Sequence, residues 1–280
     1  MSNDHEWLNL IEVSGPFLAV PVLRDVLPQG LEALPPGRHQ RLRRTYEEWR
    51  DAVDMDDLQL PAVHAAWIEE VLVSALEIDE TVLRRDATLP EQLKVSMPEH
   101  GVTVAPDLAV VNPTNSDEPL LLIHVYEPDI NLDATRRFDG LAISPADRMV
   151  ALLRSTGCSI GIVTNGERWM LVHAPVGAVV SFASWYARLW GQEPETLRAF
   201  VSLLRVHRFF GPDECKLPTL YERSLKYQDD VTEALGEQVR RAVEVLVQAL
   251  DRADQDRNRE LLRDVDPQEL YEAGLTVMMR

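Results

Sequence analysis

The stretch from Pro106 to Tyr126, P-D-L-A-V-V-N-P-T-N-S-D-E-P-L-L-L-I-H-V-Y, has few ways to fold. Val, Leu and Ile dominate its two ends, and Asn112-Pro113-Thr114-Asn115-Ser116-Asp117 between them is turn chemistry throughout. The pattern predicts two adjacent strands, Val102 to Val111 and Pro119 to Tyr126, with Asp107 on the first. Side chains alternate across a strand, so His124 and Tyr126 share one face with Leu122 while Ile123 and Val125 take the other. An Asp on one strand and two polar positions on the next form the first candidate site.

Composition sets the limits around that site. With 280 residues and 45% hydrophobic content, the chain can bury a good-sized core as one large domain or two small ones. No apolar run approaches the roughly 20 residues that span a bilayer. The N-terminus, with Asp4, His5 and Glu6, lacks the basic and apolar segments of a secretory leader, so a cytoplasmic protein is expected. Cys158 and Cys215 cannot build a disulfide framework and have no partners at zinc spacing; buried inert thiols are expected.

Net charge is −18, and a protein that grips a phosphate backbone usually concentrates Lys and Arg where it does so. Between Asp51 and Gly140 the few bases Arg84, Arg85, Lys94, Arg136 and Arg137 are outnumbered by Asp and Glu, which disfavours duplex binding by this segment. The main basic cluster, Arg38, Arg41, Arg43 and Arg44, follows Pro35-Pro36-Gly37 and reads as a solvated helix start.

From Trp7 to Leu34 the chain is apolar but broken by Pro16, Pro21 and Pro28, so a short helix and a packed arm are expected. Arg41 to Val53 is helix-compatible, with Tyr46 and Trp49 on one face. Pro61 to Leu76 repeats apolar residues at spacings of three and four. Its adjacent Glu69 and Glu70 read first as solvated carboxylates, the usual state of an acid on a helix. Ser144, Pro145 and Asp147 mark a helix start, and Gly157 its stop. Ile160 to Thr164 is a strand, and Asn165-Gly166 predicts that Arg168 to His173 returns antiparallel to it. Phe182, Trp185, Tyr186 and Trp190 are an aromatic cluster accompanied only by Arg188, which favours packing over nucleotide stacking. Thr196 to Val206 is a further helix.

The last portion is helical, with a stripe through Val231, Leu235, Val239, Val243, Leu246 and Leu250. A final helix starts with Asp266 as cap and Pro267 next. It reaches Arg280 with no Gly, Asn or Pro, so the expectation is a chain cut in mid-helix and continuing into something longer.

The order of helix, two paired strands with polar positions, crossover helix and further strands resembles the PD-(D/E)xK, or restriction-endonuclease-like, core. The expected fold is therefore α/β: a mixed sheet with flanking helices over residues 61–210, after an N-terminal arm and helix over 1–60 and before a helical connector over 211–280. In that family an Asp and a carboxylate on the next strand hold a divalent cation, and a Lys two residues on supports the attacking water. Here only Asp107 matches. His124 stands at the carboxylate position and Tyr126 at the Lys position.

Three segments, Ile160-Gly161-Ile162-Val163-Thr164-Asn165-Gly166-Glu167-Arg168-Trp169, Tyr227-Gln228-Asp229-Asp230-Val231 and Asp266-Pro267-Gln268-Glu269-Leu270-Tyr271, resemble the N-terminal region of large bacterial adenine-N6 DNA methyltransferases of restriction-modification and phage defence. These include the type IIG enzymes and relatives in DISARM and BREX systems. The resemblance implies a nuclease-derived domain, a helical connector, and then a Rossmann-like domain that uses S-adenosylmethionine. It implies as partners the rest of the methyltransferase chain, DNA reached through that parent, and defence-system subunits, with no membrane. No Gly-rich cofactor loop and no Asn-Pro-Pro-Tyr occur here, so no cofactor is expected in this chain itself.

Three functions follow as alternatives. The first is a degenerate, non-cleaving domain of such a methyltransferase. The second is an active endonuclease with a displaced site, in which Asp107 with Glu127 or Glu70 holds magnesium. The third is an interaction module whose negative surface mimics DNA or docks a basic partner.

Overall fold

The computed structural model describes residues 6–97, 102–115, 117–138, 140–256, 258–260, 262–263 and 265–278. The strands, in chain order, are β1 (Glu12–Ser14), β2 (Leu83–Arg85), β3 (Val95–Met97), β4 (Val102–Val104), β5 (Leu108–Asn112) and β6 (Glu118–Val125). They continue with β7 (Arg136–Phe138), β8 (Leu141–Ile143), β9 (Ile160–Thr164), β10 (Arg168–His173) and β11 (Ser181–Tyr186). The helices are α1 (Val20–Val26), α2 (Pro36–Asp54), α3 (Leu60–Glu69), α4 (Pro145–Thr156), α5 (Pro194–Leu204), α6 (His207–Phe210), α7 (Leu217–Asp256) and α8 (Pro267–Met278).

Seven strands make one mixed sheet in the order β1-β11-β10-β9-β6-β5-β2, while β3-β4 and β7-β8 form small two-stranded sheets. All pairs of the large sheet are antiparallel except β6 with β9, which run parallel and are joined through α4. A parallel pair needs such a crossover, and a helix is its usual form. Ser144 starts α4 by accepting a 3.0 Å bond from the Asp147 amide, and Gly157 ends it at φ 75°, both as the sequence predicts.

Alternation divides the core between the two faces of the sheet. Ala109, Val111, Leu122 and Val163 face one side, with Met149, Leu152 and Leu153 of α4. Val110, Leu121, Ile123 and Ile162 face the other, with Trp67, Val71 and Leu72 below and Phe200 of α5 beside them. Trp185 and Trp190 are buried in this second layer, each packed on Phe200, so the aromatic cluster does serve packing.

Several elements differ from the expectation. The single strand over Val102 to Val111 is broken at Pro106, which has no N–H for a ladder, and β4 pairs instead with β3. The helix over Pro61 to Leu76 is α-helical only to Glu69 and continues as a π-helical turn over Glu70–Ala75. The polar connection before α4 contains the β7-β8 hairpin.

The chain divides into two compact units, Met1–Ser224 and Leu225–Arg280. The N-terminal arm is therefore not a separate piece: β1 is the outermost strand of the main sheet, with Glu12 opposite Ser184. The boundary expected near residue 210 falls at Ser224. In the second unit the Gln268 amide bonds the Asp266 carboxylate at 2.8 Å, as the capping pattern requires. Of the α7 stripe, Val243 is fully buried while Val231 and Leu235 are exposed. Met278 is the last described residue, so the expectation about Arg280 lies outside them. No described helix is long and apolar enough to cross a membrane.

Candidate functional site

Asp107 immediately precedes β5, and its amide donates to the Ile123 carbonyl at 3.0 Å, which sets it opposite His124. Its Oδ2 accepts two hydrogen bonds, from the Val125 amide at 2.8 Å and from His124 Nδ1 at 3.1 Å. A carboxylate oxygen accepts, so a proton of the His124 ring sits on Nδ1. Nε2 is buried and has no hydrogen-bond partner among the described residues. The His124 side chain is 4% exposed and that of Asp107 is 54% exposed, so the pair joins a core imidazole to a solvated acid.

Tyr126 lies on the same face, as alternation predicts, with its ring centroid 5.8 Å from His124. β6 ends at Val125, but the Tyr126 amide still bonds the Thr164 carbonyl at 2.8 Å and prolongs the pairing with β9. Phe138 of the β7-β8 hairpin packs 5.3 Å from the Tyr126 ring, and the Arg148 guanidinium stands over Phe138. The hairpin thus packs over the Tyr126 side chain.

On the other face, Asp107 and Val125 line a cleft of about 240 Å³ against α3, together with His64, Glu69, Arg85 and Asp86. Glu69, not Glu70, reaches this cleft. Ala65, Glu69 and Leu72 stand four and three apart and share a helical face, all three lining the cleft. Glu70 points to α2 instead, where its carboxylate bonds Arg41 Nε at 2.8 Å. The structure does not bring Glu70 to Asp107. Glu127 is exposed and lies beyond the end of β6, before the turn at Pro128. Arg85 and Asp86 come from β2 and the turn after it, a short edge strand with no clear pattern of its own.

The floor of this region is held by a relay of neutral groups. Trp49 Nε1 donates to His64 Nδ1 at 2.9 Å, which leaves the proton on Nε2 to donate to the Tyr126 carbonyl at 3.1 Å. Burial holds the His64 imidazole below its ordinary pKa, against the opposing pull of that carbonyl and of Glu127, so it stays neutral. Next to it, the Gly166 carbonyl accepts from both Trp67 Nε1 at 2.8 Å and Trp169 Nε1 at 3.1 Å.

The chemistry open to the cleft is narrow. Magnesium prefers oxygen ligands in near-octahedral geometry, and a neutral imidazole brings no negative charge. Among the described residues no group of three or more His, Cys, Asp or Glu is placed to hold a metal ion. The basic cluster is equally committed: Arg38 pairs with Glu77, Arg41 with Glu70, Arg43 with Glu47 and Arg44 with Glu48.

The fold defines a mixed α/β protein with a mixed seven-stranded sheet and helices on both faces. No protein-family model, no curated protein and no solved structure matches the chain.

Proposed function

We propose that residues up to Ser224 form a restriction-endonuclease-like domain that has lost its metal chemistry. In this reading it serves as the non-cleaving N-terminal module of a cytoplasmic adenine-specific DNA methyltransferase in a restriction-modification or anti-phage system. The observation that carries the loss of cutting is the state of Asp107. One of its oxygens is taken by the Val125 amide and the His124 imidazole, where a nuclease would set a second carboxylate. The order helix, β2-β5-β6, α4, and β9 parallel to β6 supports the nuclease-like ancestry. The methyltransferase parent, its S-adenosylmethionine and its DNA rest on the three segments that resemble such enzymes.

A second reading, an acidic module that docks a basic partner protein, is favoured by the pairing of Arg38, Arg41, Arg43 and Arg44 with glutamates. These pairings partly neutralise the main basic cluster of a chain of net charge −18.

Calorimetric titration with magnesium and manganese, beside cleavage of unmethylated supercoiled plasmid, tests the first reading. The protein should neither bind metal at millimolar concentration nor cut. The double variant His124→Glu/Tyr126→Lys should gain metal binding that a further Asp107→Ala removes. Metal-dependent cutting by the unaltered protein, abolished by Asp107→Ala, would overturn the proposal and establish a displaced nuclease site.

A further inference from the structure

A second cavity, of about 220 Å³, opens between α2 and the turn that links β11 to α5. Its wall is aromatic. Tyr46 is half-buried and backed by Trp67, with ring centroids 5.4 Å apart, and Trp67 in turn packs 6.0 Å from Trp190. The buried indole N–H of Trp190 has no acceptor among the described residues, an unmet donor in a wall residue. Two guanidiniums, Arg43 and Arg188, and the Gln192 amide share the lining.

Charge sets this cavity apart from its surroundings. Its lining holds two guanidiniums and the Glu47 carboxylate, with the Glu167 carboxylate bonded to Arg188 beside them. The cleft at Asp107 holds Arg85 against Glu69, Asp86 and Asp107, and two further clefts around Arg168 also carry more acids than bases. In a chain of net charge −18 a cavity whose cations balance its carboxylates opposes an anion less than the acidic clefts around it do.

The pieces are held in place before anything binds. The Tyr46 hydroxyl donates to Glu167 at 2.8 Å, and the other oxygen of that carboxylate accepts from Arg188 at 3.1 Å. Glu167 thereby fixes the ring and one guanidinium together. Arg188 also lies 4.3 Å from the Tyr186 ring centroid, which orients its plane. Arg43 spends its Nε on Glu47 at 2.9 Å. Each fork keeps further N–H groups, and planar bidentate donation is the geometry that suits a phosphate.

We infer that this cavity binds a single nucleotide, with its base against Tyr46 and the apolar wall and its phosphate between Arg43 and Arg188. The volume lies below the roughly 300–1,000 Å³ of clefts that take drug-sized ligands, which suits one mononucleotide and nothing larger. Gln192 offers a donor and an acceptor on one amide, the pattern that reads a base edge and that a plain aromatic acid would not use. The nucleotide can be free or the exposed end of a single strand, since both present one base and one phosphate. The site is separate from the Asp107 cleft and does not depend on how that cleft is read.

Calorimetry on the full chain tests this with adenosine monophosphate and the other nucleoside monophosphates, adenosine alone, inorganic phosphate, and a short single-stranded oligonucleotide. Saturable binding of a nucleoside monophosphate is expected, weakened by about tenfold or more in Arg188→Ala and in Arg43→Ala, as loss of a charge-assisted bond requires. Arg188→Lys, with the melting temperature measured alongside, separates a folding defect from a lost contact. Arg136→Ala, outside the cavity, should bind as the unaltered protein does. Tighter binding of the oligonucleotide assigns the site to a strand end, and tighter binding of the mononucleotide assigns it to a free ligand. Binding of inorganic phosphate as tight as that of the nucleotide, nucleotide binding unchanged in both arginine variants, or no binding of any probe would each overturn the inference.

Discussion

Replacing Gly166 by alanine should destabilise the first unit by more than the cost of its left-handed backbone alone. Gly166 sits at φ +88°, and a Cβ built there would stand 2.8 Å from Cζ2 of Trp49 and 2.9 Å from Cε1 of His64. Left-handed backbone costs a non-glycine residue about 1–2 kcal/mol. Forcing carbon into a packed site costs about 1–3 kcal/mol more, because the two rings are fixed to each other by the Trp49–His64 bond and cannot move singly. The sum is about 2–5 kcal/mol. Equilibrium unfolding in urea, followed by circular dichroism, measures it through a lower midpoint at unchanged slope. Gly166→Asn, which tolerates the left-handed backbone, should still lose the steric part. A loss below about 1 kcal/mol for the alanine variant would refute the reasoning, since neither contribution could then operate as described.

Two further outcomes follow from buried titratable groups. His173 is buried and stacked 4.0 Å from the Tyr221 ring centroid, and burial pushes its pKa from 6.5 down to about 4. The unfolded chain therefore takes up this proton before the folded one does, so stability falls as pH drops from 6.5 toward 4. At about 1.36 kcal/mol per pH unit the loss is on the order of 3 kcal/mol, and His173→Gln should flatten that part of a stability–pH profile. His64, also held neutral by burial, adds to the same trend. Burial raises the Cys158 thiol to about 11, whereas Cys215 is only half-buried. At pH 8 Ellman's reagent should react with one thiol in the folded protein and with two in denaturant; rapid reaction of both in the fold would contradict the burial of Cys158.

The parts of the fold that could be read from the sequence are those in which neighbours along the chain also pair in space. β9, its Asn165-Gly166 turn and β10 have the predicted bounds, and α4 begins and ends at its cap and its glycine. Alternation alone placed His124 and Tyr126 together on one face. What escaped depends on distant partners. β1 is three exposed residues with no pattern, and it is a strand only because β11 lies beside it. β2 and the β7-β8 hairpin are equally short, so Arg85, Asp86 and Phe138 could not be assigned to the site in advance. Choosing between Glu69 and Glu70 needed the orientation of α3, and Glu70 is claimed by Arg41, 29 residues away.

All six tryptophans, at positions 7, 49, 67, 169, 185 and 190, precede Ser224. Indole emission therefore arises from the first unit alone, while the far-ultraviolet ellipticity includes the whole of α7 and α8. One denaturation series recorded by both signals sorts the chain's cooperativity without any labelling. Coincident curves would mean that the helical tail melts together with the sheet, and an early loss of ellipticity at constant emission would mean that it melts on its own.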